Sequence, residues 1–240
     1  MQATNPARFP WCLELDSLYS VPTIVGRSGK RFEAKGSLST SNNIELLRSI
    51  MMDCKPIKSL EVGMGFGGSA LTIASCHKAL GHTDPNSHTA IDLAQSSYWD
   101  NVAVDGLQRA GLTQLVRTIE QPSANALASL SENGERFDLC YVDGSHQFED
   151  VFVDFYFIGR MLNVGGVVLF DDSSDAHVAK VLQFIRSNFE GVFEEFDLNQ
   201  YVADSKQKLR RRIGRLVGSV QLVAFSKIKD GSASLRFQKF

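Results

Sequence analysis

Ser59-Leu60-Glu61-Val62-Gly63-Met64-Gly65-Phe66-Gly67-Gly68-Ser69 is the stretch from which the fold can be read. Leu60 and Val62 suit a short buried strand, and the acid Glu61 sits near its end. Gly63, Gly65 and Gly67 then recur at every second position, and helical patterning begins at Ser69. A strand-to-helix bend stripped of side chains lets a ligand come close to the backbone, and the free N–H groups of the helix start face it. In an open α/β sheet this is where a nucleotide-like cofactor binds.

Working outward, strand and helix signals alternate from residue 58 onward. The first strand covers 58–63 and its helix 68–80, stopped by Gly81. A second strand, His88–Asp92, precedes a helix over 98–110. A third, Leu115–Glu120, is followed by a helix that opens at Pro122 and Ser123 and ends near Leu130. The fourth strand is Phe137–Val142, and a helix then runs from His146 to Leu162. Its residues Phe148, Val151, Phe152, Phe155, Ile158 and Leu162 form one apolar stripe. Gly165 and Gly166 lead into a fifth strand, Val167–Phe170, and a helix follows over 177–189.

Such alternation predicts parallel strands joined by right-handed crossovers, with helices on both faces. Phe193–Leu198 and Val220–Lys227 lack a convincing helical crossover between them, so a closing antiparallel hairpin is expected. The basic segment from Lys206 to Arg215 reads as a solvated loop or short helix, or else as a patch for a phosphorylated substrate or another chain. Before the sheet, Asn42 begins a helix signal with Glu45 as a capping-box partner. Residues 1–40 hold three of the six prolines and little periodicity, which suggests an irregular arm or lid ahead of one domain over 41–240.

The 240 residues suffice for one large α/β domain with a sizeable core. A net charge of −2 exerts no global pull toward nucleic acid or an anionic membrane, and neither is expected as a partner. No stretch is long and apolar enough to span a bilayer. The N-terminus shows no secretory pattern. Four cysteines without a C-x-x-C pair fit free thiols in a reducing cytoplasm.

Gly63, Gly65 and Gly68 also satisfy G-x-G-x-x-G, so a nicotinamide or flavin dinucleotide has to be weighed. Three features bear on the choice. Glu61 would point toward a pyrophosphate but suits a cofactor with a cationic amino-acid end. Asp92 closes the second strand 25 residues after Gly67, where a carboxylate can accept both ribose hydroxyls. Asp143, in Tyr141-Val142-Asp143-Gly144-Ser145-His146, stands at the same sheet edge.

With these residues the sequence resembles the class I S-adenosylmethionine-dependent methyltransferases. The run from Glu61 through Gly63 and Gly65 to Gly67 is similar to that family's first motif, and Asp92 to its ribose-binding acid. Ser123 falls where the family places adenine contacts. The resemblance implies a Rossmann-like, doubly wound, mostly parallel seven-stranded sheet with a reversed last strand. It also implies a cofactor site that takes in Glu61, Gly63, Gly65, Gly67, Ser69, Asp92, Ser123 and Asp143.

Methyl transfer from a sulfonium is a displacement in which the protein positions the acceptor and, for a hydroxyl, removes its proton. Asp143 ends the fourth strand, and Asp171 and Asp172 end the fifth. Adjacent strands would set these acids about 4.8 Å apart in the pairing direction. Crowded carboxylates repel, so either a cation neutralises them or some stay protonated, and Mg²⁺ favours a few such oxygens. An acceptor hydroxyl bound to it would lose its proton more easily, and His146, three residues after Asp143, could take that proton. Asp143-Gly144-Ser145-His146 together with Phe170-Asp171-Asp172 resembles the metal-dependent O-methyltransferases that act on macrolide sugars, and also the catechol type. That resemblance implies Asp143, Asp171 and Asp172 as Mg²⁺ ligands and His146 as catalytic base.

The expected activity is therefore methyl transfer to a hydroxyl of a small molecule such as a sugar, phenol or polyketide. A non-catalytic cofactor-binding partner subunit and an NAD-dependent oxidoreductase remain the alternatives. Self-association is left open, because the long N-terminal extension of the macrolide enzymes has no counterpart here. Simple structural roles also stay open: a turn at Asp92, a loop cap at Asp171 and Asp172, and a helix start at His146. Tyr98 and Trp99 could line the adenine side, and His177 reads as a surface residue.

Overall fold

The computed structural model describes residues 7–34, 38–233 and 237–240, and of 215–217 the backbone alone. In chain order the elements begin with α1 (Leu13–Ser20), β1 (Thr23–Val25), β2 (Arg31–Glu33), α2 (Ser41–Cys54), β3 (Ser59–Val62) and α3 (Gly68–Ala79). There follow β4 (His88–Asp92), α4 (Val102–Arg109), β5 (Val116–Glu120), α5 (Ser123–Glu132), β6 (Phe137–Val142) and α6 (Phe148–Met161). The chain ends with β7 (Leu162–Phe170), α7 (Ala176–Asn188), β8 (Phe193–Glu195), α8 (Ser205–Val217) and β9 (Val223–Lys227).

Seven strands form one sheet in the order β5-β4-β3-β6-β7-β9-β8. The first five are parallel, and β9 runs antiparallel to both β7 and β8. This is the doubly wound, Rossmann-like sheet with a reversed last strand that the resemblance implied, and its parallel part follows the alternation. The chain winds outward from β3 to β5 and then returns to β6 on the other side of β3. The crevice outside the carboxyl ends of β3 and β6 is thus the switch point where such sheets bind ligands.

Strand alternation divides the core. Leu60, Val62, Cys140, Val142 and Val168 face α5, α6 and α7. Leu139, Tyr141 and Leu169 face α2 and α3 on the opposite side. The α6 stripe is buried as its spacing required: Val151, Phe155 and Ile158 are at most 2% exposed. Each stabilises the fold by roughly 1.5–3 kcal/mol relative to an exposed position.

Where residues 1–40 offered little periodicity, the chain forms α1 and the β1–β2 ribbon. Phe9, Leu15 and Ile24 pack with Leu71 of α3 and with Ala103 and Leu107 of α4. Thr40, not Asn42, caps α2 and accepts from Asn43 N–H at 3.2 Å. The expected helix over 98–110 starts later, at Val102, because Asp100 and Asn101 adopt left-handed conformations (φ 51° and 58°). Between β8 and β9 lies the largest departure. The segment expected to be poor in helix forms the 13-residue α8, capped by Asp204 and stopped by Gly218. Its Lys, Arg and Leu content gives it high intrinsic helix propensity, although it carries little apolar surface toward the core.

Candidate active site

A cavity of about 850 Å³ opens at the carboxyl ends of β3, β4 and β6. The glycine bend shapes it in two different ways. Gly63 has φ 88°, and a Cβ there would lie 1.9 Å from the carbonyl oxygen of Asp143. Only glycine therefore lets the ends of β3 and β6 touch. At Gly65 (φ 49°) an added Cβ would meet nothing within 4 Å, and this residue lines the cavity. Gly67 does not line it; a Cβ there would press on Ala103 of α4 at 2.8 Å. Ser69 and Ser123, at the starts of α3 and α5, both face the cavity.

Asp92 is bound to the bend itself. Its Oδ2 accepts from Met64 N–H (3.0 Å), Gly65 N–H (2.9 Å) and Gln95 Nε2 (3.1 Å). Its Oδ1 accepts from Ala94 N–H at 2.8 Å and retains capacity for a ligand hydroxyl. Gln95 Nε2 also donates to Gly65 O at 2.7 Å. The acid expected to hold ribose thus also fixes the loop that would receive the rest of the cofactor.

Glu61 lies elsewhere. It faces the α2–α3 side of the sheet, is 0% exposed and does not line the cavity. His88 Nε2 lies 3.3 Å from its Oε1, yet neither oxygen has a hydrogen-bond partner. A buried polar chain continues from His88. Its Nδ1 meets Ser59 Oγ at 2.9 Å, Ser59 Oγ meets His77 Nε2 at 2.7 Å, and His77 Nδ1 meets His82 Nδ1 at 2.7 Å. Burial, reinforced by His88 and His82, pushes the His77 pKa down to about 3, so that ring is neutral. An uncompensated carboxylate at the Glu61 position would be costly, which makes His88 its natural counter-group.

The acids at the ends of β6 and β7 line one edge of the cavity. The His146 ring sits between two of them, with Nε2 at 3.1 Å from Asp143 Oδ1 and Nδ1 at 3.3 Å from Asp172 Oδ2. Asp143, His146 and Asp172 offer ligand atoms within 4.8 Å of one another, a fitting donor set for a divalent cation. His146 (φ 59°) and Asp172 (φ 45°) both take the left-handed backbone that non-glycine residues avoid, and such strain concentrates at functional sites. Asp171 also lines the cavity and accepts from three donors. Asn43 Nδ2 donates at 2.6 Å, Tyr141 OH donates to the other oxygen, and Asp172 N–H donates at 2.9 Å. Burial raises the pKa of Asp143 to about 7 and raises that of Asp171 as well. The hydrogen bond to Asp143 raises that of His146.

Several wall residues carried no sequence signal. Ser39 Oγ donates to Asp143 Oδ2 at 2.9 Å, and Tyr19 OH fixes the Ser39 carbonyl at 2.7 Å. Asn43 reaches Asp171 from α2, and Gln221 closes the side nearest β9. Trp99 lines the cavity and packs edge-on against Phe66 at 4.9 Å, whereas Tyr98 is exposed. His177 lies outside, exposed, accepting from Phe148 N–H at the start of α6. Behind Ser123, buried Asp154 touches its hydroxyl, and burial pushes this carboxyl up to about 7. All four cysteines are free, and Cys76 and Cys140 are buried. Among the described residues no helix is long and apolar enough to cross a membrane.

Comparison with known proteins agrees with this architecture. Residues 60–173 match the family model Methyltransf_24, described as a methyltransferase domain. No curated protein matches the chain. Among solved structures, the O-methyltransferase TomG of Streptomyces achromogenes, involved in tomaymycin synthesis and in complex with SAM, superposes with a TM-score of 0.60. The match has 16% identity over 94% of this chain and 91% of that one. An O-methyltransferase from Bacillus cereus in complex with SAH gives 0.57 at 13% identity, over 95% and 94%. The SAH-bound methyltransferase PaMTH1 of Podospora anserina gives 0.57 at 16% identity, over 95% and 89%. The strand order and the methyltransferase-domain match over residues 60–173 agree, and the chain has the fold of these S-adenosylmethionine- and S-adenosylhomocysteine-bound methyltransferases.

Proposed function

We propose that this protein transfers a methyl group from S-adenosylmethionine to a hydroxyl of a small molecule such as a sugar, phenol or polyketide. The observation that carries this reading is the His146 imidazole held between Asp143 and Asp172 at the rim of the cofactor crevice. The O-methyltransferases among the structural neighbours support a hydroxyl acceptor. S-adenosylmethionine supplies the electrophilic methyl group. Gly65 and Ser69 leave room for its amino-acid end while Gly63 holds β3 against β6, Asp92 takes its ribose hydroxyls, and Ser123 and Trp99 flank its base. Glu61, buried beside His88 and outside the cavity, makes no contact with the cofactor in this reading.

His146 is the group that takes the acceptor's proton. The two flanking carboxylates stabilise the imidazolium that results. Asp143 and Asp172, with Asp171 beside them, would hold Mg²⁺, which lowers the proton affinity of a bound hydroxyl. Ser39 keeps the Asp143 carboxylate in place. Of the N-terminal arm over 1–40, Leu38, Ser39 and Thr40 close one wall, and 41–240 carry the catalytic domain. Free cysteines suit a reducing cytoplasm.

The test is calorimetry with S-adenosylmethionine and its demethylated product, followed by methyl-transfer assays on hydroxylated acceptors with and without EDTA. Cofactor binding that survives EDTA, with turnover lost, is the expected result. Activity after exhaustive chelation would remove the metal from the proposal. His146→Ala is expected to lower kcat by roughly 10²–10⁴-fold with cofactor affinity nearly unchanged; an unaltered rate would remove its role as base.

A further inference from the structure

Helix α8 is oriented against the usual rule for a surface helix. Its sequence, Ser-Lys-Gln-Lys-Leu-Arg-Arg-Arg-Ile-Gly-Arg-Leu-Val, puts apolar residues at 209, 213, 216 and 217, which share one helical face. A helix packed on a core turns that face inward. Here Leu209 is 58% and Ile213 51% exposed. The inward contacts come from the other side: Gly214 is buried near Val220 and Ser219, and Arg211 Nη2 donates to Leu222 O at 3.1 Å. The exposed cations Lys206, Arg210 and Arg212 flank the apolar stripe.

Charge narrows the choice of what covers this face. The helix holds six Lys and Arg residues and no acid, which leaves 19 cations against 27 acids in the rest of the chain. The near-neutral total conceals this separation, and the expectation of no membrane partner rested on that total. Two copies meeting face to face through α8 would oppose cation to cation. Two exposed apolar side chains one turn apart, Leu209 and Ile213, bordered by cations on a helix about 20 Å long, suit shallow insertion at an anionic interface.

We propose that α8 docks the protein on an anionic lipid bilayer, with Leu209 and Ile213 entering the headgroup boundary and Lys206, Arg210 and Arg212 meeting lipid phosphates. The helix joins β8 to β9 at the carboxyl edge of the sheet, and Gln221 of the same connection lines the cavity. Docking there brings the cavity's edge toward the lipid surface.

The experiment is co-sedimentation of the full chain with vesicles of phosphatidylcholine alone and of phosphatidylcholine with phosphatidylglycerol. Selective, salt-sensitive binding to the phosphatidylglycerol vesicles is expected. The double variant Arg210→Glu, Arg212→Glu should lower partitioning by roughly tenfold or more, and Leu209→Ser, Ile213→Ser should lower it on the same vesicles. Calorimetry with S-adenosylmethionine on each variant, expected unchanged, reports an intact fold. Equal binding to both vesicle types, or anionic binding indifferent to both double variants, overturns the proposal. So does retention on heparin without vesicle binding, or self-association that accounts for the sedimentation.

Discussion

Replacing Gly63 and Gly65 separately by alanine divides the glycine bend into a folding part and a binding part. At Gly65 the methyl group meets no protein atom within 4 Å, so the fold bears only the left-handed backbone, about 1 kcal/mol. Gly65 lines the cavity, so in the proposed reading that methyl group takes space meant for the cofactor. At Gly63 the Cβ falls 1.9 Å from the Asp143 carbonyl oxygen, a distance no side-chain adjustment relieves. The ends of β3 and β6 must separate, which strains the Gly63 N–H bond to Ile91 O and the Asp143 N–H bond to Val62 O, each 2.8 Å. With two strand-end hydrogen bonds weakened and the backbone penalty added, the loss is about 3–5 kcal/mol. Urea unfolding and S-adenosylmethionine calorimetry on both variants read the two effects independently. Gly65→Ala should keep nearly all its stability and lose at least about tenfold in affinity, whereas Gly63→Ala should unfold at much lower urea. Equal stabilities, or full affinity in Gly65→Ala, would refute the division.

Two further outcomes follow from buried groups. Ser59→Ala removes the hydroxyl shared by His88 and His77 and leaves both ring nitrogens unpartnered in the core, which should cost about 2–4 kcal/mol in a denaturant melt; a loss below about 0.5 kcal/mol would mean that the chain contributes little. Asp154 is an acid whose folded pKa, about 7, lies above its ordinary 3.8. Below that ordinary value it is neutral folded and unfolded, and as pH rises toward 7 the unfolded chain ionises first, so stability is lost across this window. Asp154→Asn should therefore match the wild type near the lower end and exceed it above pH 7, by at most ~4 kcal/mol; parallel stability profiles would contradict the assignment.

Local requirements made much of the molecule legible in its sequence. The α6 stripe, the β3 bend and the acids closing β4 and β6 announce themselves because strand alternation, helical periodicity and close backbone approach are properties of neighbouring residues. The same reading went astray at α8, where a helix with few core contacts left too weak a pattern. It gave no hint of Ser39, Asn43 or Tyr141 beside the acids, since a serine or asparagine has no periodic signature.

By itself, then, the sequence determined a doubly wound sheet, a nucleotide-type bend at Gly63–Gly67 and the presence of Asp92, Asp143 and His146 at one edge. Tertiary structure alone decided which carboxylates share the imidazole and which are held by neutral donors. Ser39 meets Asp143 across 104 residues and Asn43 meets Asp171 across 128, pairings created by strand order and helix docking. It also turned Glu61 to the face away from the cavity and Leu209 and Ile213 of α8 outward. The physical reason is common to these cases: a residue's type sets what it can bind, but the partner is supplied by a distant segment whose arrival depends on the whole fold.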